Sequence, residues 1–505
     1  MSQNRPNILF IMADQMAAPL LPLHDPRSPI LMPHLDALAR DGVVFDSAYC
    51  NSPLCAPSRF CLMSGQLPSR IGAWDNAADF PSDIPTYAHY LRALGYRTAL
   101  SGKMHFCGPD QLHGYEERLT SDIYPADYGW AVNWDEPDKR ASWYHNMSSV
   151  LQAGPCVRSN QLDFDEEVVF KANQYLFDHV RNTPEQPFCL TVSMTHPHDP
   201  YTIPAAFWDL YDGVEIPMPV VDMAQDRQDP HSERILKVID LWGKSMPEEA
   251  VRRARRAYFG ACSYIDANIG KLMKTLTDCG LRDDTIVVFS GDHGDMLGER
   301  GLWYKMHWFE ASARVPMVVH APARFRPARV APSVSTIDLL PTFVAMAGGT
   351  LDAGLAIDGR SLMPHLTGGD DGHDEVIGEY MAEGSRETVV MIRRGRYKFI
   401  HAAHDPCLLF DVQDDPRELR NLADAPEHQG LLASFQAEVA QRWDLPALDG
   451  RVLDSQRRRR RVYEALRQGR LTSWDHQPRV DASQQYMRNH IDLDDLERRA
   501  RFPAP

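Results

Sequence analysis

The chain has 505 residues, of which 44% are hydrophobic, and a formal net charge of -16 at neutral pH. This acidic balance argues against nucleic acid as the main partner, because a polyanion would be repelled. The nine cysteines have no regular spacing and form no CxxC pair, which fits a reduced compartment better than a disulfide framework.

The amino-terminal segment carries only a short apolar run before Asp14. It lacks the longer apolar core and the cleavage site of a signal peptide. No later segment approaches the roughly 20 consecutive apolar residues of a membrane span. We therefore expect a soluble cytoplasmic protein that binds neither membranes nor nucleic acid.

Short apolar segments typical of buried strands alternate along the chain with helical segments. The predicted strands are 7–13, 97–101, 188–194, 285–290 and 316–321. The predicted helices are 33–41, 86–94, about 165–182 and about 245–280, the last with a capping box formed by Ser245 and Glu248. The alternation predicts an α/β fold with a mostly parallel sheet between helices.

The pattern of polar and apolar residues changes near residue 380. Polar and apolar residues then alternate with turn residues between them, which predicts a smaller antiparallel subdomain over 380–450 after a main α/β domain over 1–379. The remaining segment, 451–505, is polar and rich in arginine. It is too polar for a core of its own, so we expect it to lie in contacts of a homo-oligomer. The arginine runs at 252–256 and 457–461 are expected to be solvated faces or ion-pair partners.

Polar side chains follow four of the predicted strands, at the point where each strand ends. They are Asp14 and Gln15, Lys103 and His105, His196 and His198, and Asp292 and His293. The carboxyl ends of parallel strands meet at one edge of a sheet, so these groups are expected to converge on one site. His196 is expected to be a structural neighbour of His198.

Two carboxylates with an amide and a histidine form an oxygen-rich ligand set. Such a set suits a hard divalent cation such as Ca²⁺, Mg²⁺ or Mn²⁺. The predicted metal ligands are Asp14, Gln15, Asp292 and His293.

The stretch CAPSRFCLMSG, residues 55–65, matches the full pattern C-x-P-S-R-x-x-L-x-S/T-G and so resembles the type I sulfatases. Further matching motifs are SGKMHF (101–106), THPHDPY (195–201), SGDHGDMLGERGLWYKMHWFEASARVPMVV (290–319) and LLFDVQDDPRELRNLA (408–423). The resemblance covers residues 6 to about 425. It implies an alkaline-phosphatase-like fold in which 1–379 is the catalytic domain.

The resemblance also implies a modified residue and a metal ion. Cys55 would be oxidised to formylglycine by a formylglycine-generating enzyme and would itself face the metal, for which Ca²⁺ is favoured, with Mg²⁺ and Mn²⁺ as alternatives. Gln15 stands where many sulfatases have a second aspartate, and His293 where many have asparagine. These two departures leave the identity of the metal open.

The chemistry of sulfate esters assigns roles to the conspicuous polar residues. Arg59, Lys103 and Lys305 would stabilise the anionic group. Asp292 would act as base for the hydrated formylglycine, and His198 or Lys305 would protonate the leaving oxygen. His105 would take the proton whose loss releases sulfate. The other cysteines, such as Cys61, Cys107, Cys189 and Cys262, are expected to be packing residues.

Two further segments are similar to the bacterial choline-sulfatases within this family: residues 101–130 and the tail from about 457. This similarity implies hydrolysis of choline-O-sulfate by a homo-oligomer, a dimer or tetramer. A quaternary ammonium has no N–H to donate, so its site needs aromatic faces and a carboxylate. The predicted pocket residues are Trp130 and Tyr124, with Asn76, Trp143, His145 and Glu383 to complete the pocket.

Three alternatives remain open from the sequence. The chain could be a phosphonate or phosphate monoester hydrolase of the same superfamily, or an aryl or alkyl sulfatase of different specificity. It could also be a non-catalytic binding protein on the same fold, if Cys55 is never oxidised.

Overall fold

The structure is a computed structural model that describes residues 5–369, 371–477, 491, 492, 495 and 499. Its strands are β1 (Asn7–Ala13), β2 (Val43–Tyr49), β3 (Arg97–Gly102), β4 (Glu117–Arg118), β5 (Gly154–Cys156), β6 (Phe188–Met194), β7 (Thr202–Pro204), β8 (Thr285–Gly291), β9 (Met317–His320), β10 (Ala328–Ser335), β11 (Glu375–Tyr380), β12 (Val389–Arg394), β13 (Tyr397–His401) and β14 (Leu408–Asp411).

The α-helices alternate with these strands over most of the chain. They are α1 (Pro33–Arg40), α2 (Cys55–Ser64), α3 (Pro68–Ile71), α4 (Tyr87–Ala93), α5 (Ser148–Leu151), α6 (Asn160–Asn182), α7 (Ala205–Trp208), α8 (Pro230–Val238), α9 (Glu248–Asp278), α10 (Glu310–Ala313), α11 (Leu339–Met346), α12 (Met363–Thr367), α13 (Gln429–Arg442) and α14 (Leu445–Leu466).

A large mixed sheet forms the centre of the molecule, with strand order β10-β2-β9-β8-β1-β6-β3-β4. The middle strands β8, β1, β6 and β3 run parallel to one another. Strand β9 runs antiparallel to both β8 and β2. Apolar clusters cover both faces of the sheet, so β1 is buried along its whole length. The predicted α/β class with a mostly parallel sheet is confirmed.

The predicted strands and helices are all present, with small differences at their ends. One local prediction is wrong, because Pro247 and not Ser245 caps α9, with no side-chain hydrogen bond at that cap. The capping box of Ser245 and Glu248 therefore does not form. Strands β2 and β10, which pair parallel with each other at one edge, were not predicted from the sequence.

The carboxy-terminal part forms a second, four-stranded antiparallel sheet in the order β11-β12-β13-β14. Helix α13 packs on this sheet through Phe435 and Val439. The predicted antiparallel subdomain is thus present, while the domain boundaries at 379 and 450 stay predictions. The tail after residue 477 lies almost entirely outside the described residues. Among the described helices, none combines the length and the apolar character that a bilayer crossing requires.

Candidate active site

The polar groups that follow β1, β3, β6 and β8 lie close together at the carboxyl edge of the large sheet. Asp14, Gln15, Lys103 and Asp292 have no exposed surface at all. Gly102, directly before Lys103, has a φ of +115°, and a Cβ there would lie 2.0 Å from the carbonyl oxygen of Ser193. Only glycine can make this close approach of the two strands, which places Lys103 at the site.

Cys55 begins helix α2 and points into this group of polar side chains. Its Sγ lies 3.2 Å from His293 Nε2, 3.5 Å from Lys103 Nζ and 3.8 Å from Asp14 Oδ1. The backbone N–H of the next residue, Ala56, donates to Asn76 Oδ1 at 3.0 Å. The amino terminus of α2 therefore faces the site and favours a negative charge there.

The surroundings of Cys55 favour an anion in spite of its burial. Burial alone would raise the pKa of the Cys55 thiol, but the positive charges of Lys103, Lys305 and His293 hold that pKa well below its usual value. Burial instead raises the pKa of Cys61 and Cys107 well above the ordinary thiol value. Cys55 is thus set apart electrostatically from these two cysteines.

Four buried side chains could hold one cation together: Asp14, Cys55, Asp292 and His293, whose ligand atoms all lie within 4.8 Å of one another. Carboxylate oxygens with one imidazole nitrogen suit a hard divalent cation. Burial would raise the pKa of Asp14, yet Lys103, His198 and Arg59 lower it to about 2, so this carboxylate is ionised and able to bind a metal. The residues present fit the divalent metal that the sequence resemblance implies.

Gln15, also predicted as a metal ligand, has both ends of its amide bound to other side chains. Its Oε1 accepts from Lys305 Nζ at 2.6 Å, and its Nε2 donates to Asp295 Oδ2 at 2.6 Å. Asp295 was not singled out from the sequence, although it lies in the SGDHGDM motif. Burial raises the pKa of Asp295 to about 6.

Arg59 holds the two carboxylates of the site in place. Its Nε lies 2.9 Å from Asp292 Oδ2 and its Nη2 lies 3.4 Å from Asp14 Oδ2. Nη1 donates to the carbonyl oxygen of Lys103 at 2.6 Å and to Ser193 Oγ at 2.8 Å. Arg59, anchored through Nε and Nη1, therefore orients the carboxylates, while its buried Nη2 has no hydrogen-bond partner within the described structure.

Asp292 is surrounded by donors as well. Its Oδ1 accepts from the backbone N–H groups of Gln15 at 3.0 Å and His293 at 2.9 Å, while its Oδ2 binds Arg59. Charge-assisted hydrogen bonds to both oxygens hold this carboxylate in one orientation. This arrangement suits a metal ligand better than the predicted general base.

Proton donors and acceptors lie on the other side of Cys55. Lys305 Nζ lies 2.7 Å from His198 Nε2. Burial would lower the pKa of Lys305, but the negative charges of Cys55, Asp199 and Asp14 raise it, which keeps this lysine a cation. Burial lowers the pKa of His105, although the contact of its ring with Cys55 acts in the opposite direction. His105 is therefore a neutral imidazole that can accept a proton.

His196 lies apart from this chemistry. Its Nδ1 lies 2.7 Å from Asp165 Oδ2, and its backbone N–H donates to the same carboxylate. This pairing ties the end of β6 to helix α6, a structural role.

A cavity of about 320 Å³ opens beside Cys55. Its aromatic wall is formed by Tyr124, Trp130 and Trp143. The rings of Trp130 and Trp143 are stacked 6.2 Å apart, and Tyr124 lies 5.4 Å from Trp130. The other lining residues are Asn76, His105, Tyr144, His145, Asn146, Ser148, Ser149, Gln161, His198, Asp199, Pro200 and Lys305.

Asp199 is the acidic lining residue that sequence reasoning missed, although it lies in the THPHDPY motif. Ser149 Oγ donates to its Oδ2 at 2.9 Å, and its Oδ1 lies 3.3 Å from His198 Nδ1. Burial would raise its pKa, but His198, His145 and Lys305 lower it. Asp199 therefore adds a negative charge to the cavity.

Glu383 is not among the lining residues, but it is buried close behind them. Burial raises the pKa of Glu383 to about 7, with Asp75 contributing in the same direction. Its Oε2 has no hydrogen-bond partner within the described structure. A carboxylate oxygen left unpaired at this position would gain from a nearby cation.

The chain is similar to known sulfatases along its length. The family model described as Sulfatase matches residues 6–349. Models described as N-sulphoglucosamine sulphohydrolase, C-terminal, and Choline sulfatase enzyme C terminal match residues 298–444 and 450–502. A choline-sulfatase of Rhizobium meliloti is 49% identical over 100% of this chain and 99% of its own length. An arylsulfatase of Clostridium perfringens is 25% identical over 84% of this chain and 92% of its own.

Solved structures share the fold. The phosphonate monoester hydrolase of Agrobacterium radiobacter superposes with a TM-score of 0.68 at 22% identity, covering 88% of this chain and 96% of that one. A putative sulfatase from Bacteroides fragilis superposes with a TM-score of 0.66, also at 22% identity, covering 91% and 98%. At this level of identity the likeness concerns the fold alone.

Proposed function

The chain belongs to the sulfatase family, and we propose that it is a choline-sulfatase that hydrolyses choline-O-sulfate to choline and sulfate. The observation that carries the proposal is the aromatic cavity directly beside Cys55, in a chain 49% identical to a choline-sulfatase along its whole length. A sulfate seated at Cys55 leaves the other end of a short substrate among Tyr124, Trp130 and Trp143. These rings offer the faces that a quaternary ammonium requires.

The family implies that Cys55 carries the reactive group after oxidation to formylglycine, and that a divalent metal is bound. As a hydrate, formylglycine supplies one hydroxyl to attack sulfur and a second whose deprotonation releases sulfate. The metal, when bound by Asp14, Cys55, Asp292 and His293, supplies positive charge that polarises the sulfate. We propose Ca²⁺ as the ion, because two of the ligands are carboxylates and oxidised Cys55 would add a third oxygen.

The chain's own cations complete the anion site. Lys103 and Lys305 both influence the charge on Cys55, and the amino terminus of α2 points at the same atom. A sulfate at this position would be surrounded by positive charge in a buried site, where each interaction is stronger than in water. Arg59 keeps Asp14 and Asp292 in place, and its Nη2 group, which has no hydrogen-bond partner within the described structure, is available to the sulfate.

Two separate groups move protons in the proposed reaction. The Lys305 and His198 pair lies at the cavity and can protonate the alkoxide of the leaving choline. The neutral imidazole of His105 can accept the proton of the second hydroxyl. Asp292, whose oxygens are bound by Arg59 and two backbone N–H groups, acts as metal ligand.

The cation of choline would lie against Trp130 and Tyr124. Negative charge is available from Asp199 in the lining of the cavity and from Glu383 buried behind it. Asn76, Trp143 and His145 complete the lining. An aryl sulfate, which carries no cationic group, would gain nothing from the two carboxylates, so the pocket favours a zwitterionic substrate.

Several parts of the proposal go beyond the site. We propose maturation by a formylglycine-generating enzyme, a cytoplasmic location and a homo-oligomer, dimer or tetramer. Light scattering of the full chain and of a truncation after residue 477 tests the oligomeric state. Smaller particles are expected on truncation.

Initial rates of the purified enzyme on three substrates test the proposed function. Choline-O-sulfate is expected to be hydrolysed with the highest kcat/KM, followed by 4-nitrophenyl sulfate and then a phosphonate monoester. A higher kcat/KM for the phosphonate would instead establish the alternative of a phosphonate monoester hydrolase. A higher kcat/KM for the aryl sulfate would place the chain among sulfatases of other specificity.

A further inference from the structure

Helix α14, near the end of the described chain, packs against the loop that carries Trp130. We call residues 127–135 the pocket loop. The buried side chain of Gln456 accepts a hydrogen bond from the backbone N–H of Trp134 at 2.9 Å. Tyr463 lies so close to Gly129 that a Cβ on the glycine would be 3.0 Å from the tyrosine oxygen. The helix thus contacts the pocket loop at two points.

A buried ion pair lies beside these contacts. Arg459 Nη1 lies 2.5 Å from Asp75 Oδ1, and Nη2 lies 3.0 Å from Asp75 Oδ2. The side chains are 7% and 0% exposed. Bidentate pairs of this kind fix both distance and orientation, and their loss leaves a buried charge without a partner.

Asp75 and its neighbour Asn76 connect this ion pair to two parts of the site. Its Oδ2 accepts from the backbone N–H of Val132, in the pocket loop, at 3.3 Å. The next residue, Asn76, lines the cavity and accepts from the N–H of Ala56, directly after Cys55, at 3.0 Å. Through Asp75 and Asn76, Arg459 is therefore connected both to the pocket loop and to the start of the Cys55 helix.

We propose that Arg459 and Gln456 are positioning residues that hold the pocket loop, and with it Trp130, at the distance from Cys55 that choline sulfate requires. The inference rests on the proposed function. Of the two roles expected for the arginines at 457–461, a solvated face or an ion-pair partner, Arg459 has the second, and its pair is buried. Arg459 and Gln456 lie in the segment 450–502 that matches the choline sulfatase C-terminal model. The helix would then be a specificity element for the cationic end of the substrate.

The other arginines of the helix provide a comparison. Arg457 and Arg460 also reach the pocket loop, through Asp135, but at the surface. Arg461 is 84% exposed, and its nearest carboxylate, that of Glu464, is 4.0 Å away. Exposed pairs contribute little to stability or geometry, so Arg461 is the matched control on the same helix.

The test measures kcat/KM of full-length Arg459→Met on choline-O-sulfate and on 4-nitrophenyl sulfate, with formylglycine content determined by mass spectrometry. A displaced pocket loop is expected to reduce kcat/KM for choline sulfate about tenfold, mainly through KM, and that for the aryl sulfate by less than about twofold. Asp75→Asn should give the same pattern, and the double variant should lose no more than either single one. Arg461→Met should match the wild type.

Equal losses on both substrates, or no loss on either, would overturn the proposal. If Arg459→Met fails to fold, Gln456→Met, which removes one uncharged hydrogen bond, is expected to show a smaller loss of the same selectivity. Hydrogen exchange of the Val132 and Trp134 amides gives a second readout, because both should exchange faster in the variants. If the amides exchange faster in the variants but the wild type does not hydrolyse choline sulfate, the proposed function is wrong and the loop contact still holds. If the exchange rates are unchanged, the loop contact itself is wrong.

Discussion

His293 Nε2 lies 3.2 Å from Cys55 Sγ, although the two residues are 238 positions apart in the chain. One follows the central strand β8 and the other begins α2. Negative charge on Cys55 and Asp292 raises the pKa of His293, although burial would lower it. The same contact therefore joins Cys55, the residue to be modified, with His293, a candidate metal ligand.

Trp130→Ala tests the aromatic wall of the cavity. A desolvated cation-π contact is worth about 2 kcal/mol, so kcat/KM for choline sulfate should fall about thirtyfold. Turnover of 4-nitrophenyl sulfate should change little, since it carries no ammonium group. Trp242→Ala, which removes a partly buried tryptophan outside the cavity, should leave both rates unchanged. A parallel fall on both substrates would make Trp130 a packing residue.

Chelation tests the metal site. The purified protein is expected to contain one divalent ion per chain by elemental analysis, and removal of this ion should abolish sulfate release and lower the melting temperature. Asp14→Asn should lower the metal content, because it removes a charged ligand. Asp266→Asn, at a buried aspartate that instead binds the amino terminus of α1, should keep its metal. Full metal content in Asp14→Asn would refute the assignment.

Glu383 should make the selectivity of the enzyme depend on pH. Burial raises the pKa of this carboxyl to about 7, so it is neutral below that pH and ionised above it. The ratio of kcat/KM for choline sulfate to that for 4-nitrophenyl sulfate should therefore rise as pH increases through about 7. Groups that act on both substrates change both kcat/KM values alike, so their pH dependence cancels in the ratio. In Glu383→Gln the ratio should be low and independent of pH; a wild-type profile in this variant would exclude Glu383.

Lys398 links the small sheet to the loop that carries Lys305. Its buried Nζ lies 2.7 Å from carboxylate oxygens of both Glu310 and Glu418 and 2.8 Å from the carbonyl oxygen of Trp308. Lys398→Met leaves two buried carboxylates without their cation and should destabilise the fold by about 3–5 kcal/mol. Denaturant unfolding measures the loss. Lys274→Met, which removes an exposed pair with Asp278, should cost less than about 1 kcal/mol, and a similar cost at position 398 would contradict the argument.

The sequence was most informative where one short segment determines both structure and chemistry. The apolar run before Asp14 predicted a strand, which lies where expected, and the motif around 55–65 singled out Cys55, which begins α2 and points into the site. Convergence of Asp14, Lys103, His198 and Asp292 could be predicted because parallel strands place their carboxyl ends at one edge.

The rest depends on contacts between distant segments. The direction of β9 and the pairing of β2 with β10 arise from long-range packing that no local pattern encodes. Arg459 could not be told from its exposed neighbours, because only the fold brings Asp75 to it. At α9 a proline directly before the helix displaced the expected serine cap.

Sulfate release from choline-O-sulfate, measured for the wild type and for Cys55→Ala with the mass of the Cys55 peptide determined in parallel, tests the central claim most directly. The wild type should carry formylglycine at position 55 and release sulfate, and Cys55→Ala should release none above the uncatalysed rate. Near wild-type release by Cys55→Ala would contradict the mechanism. A fully modified, metal-loaded wild type that leaves choline-O-sulfate intact would contradict the proposed substrate.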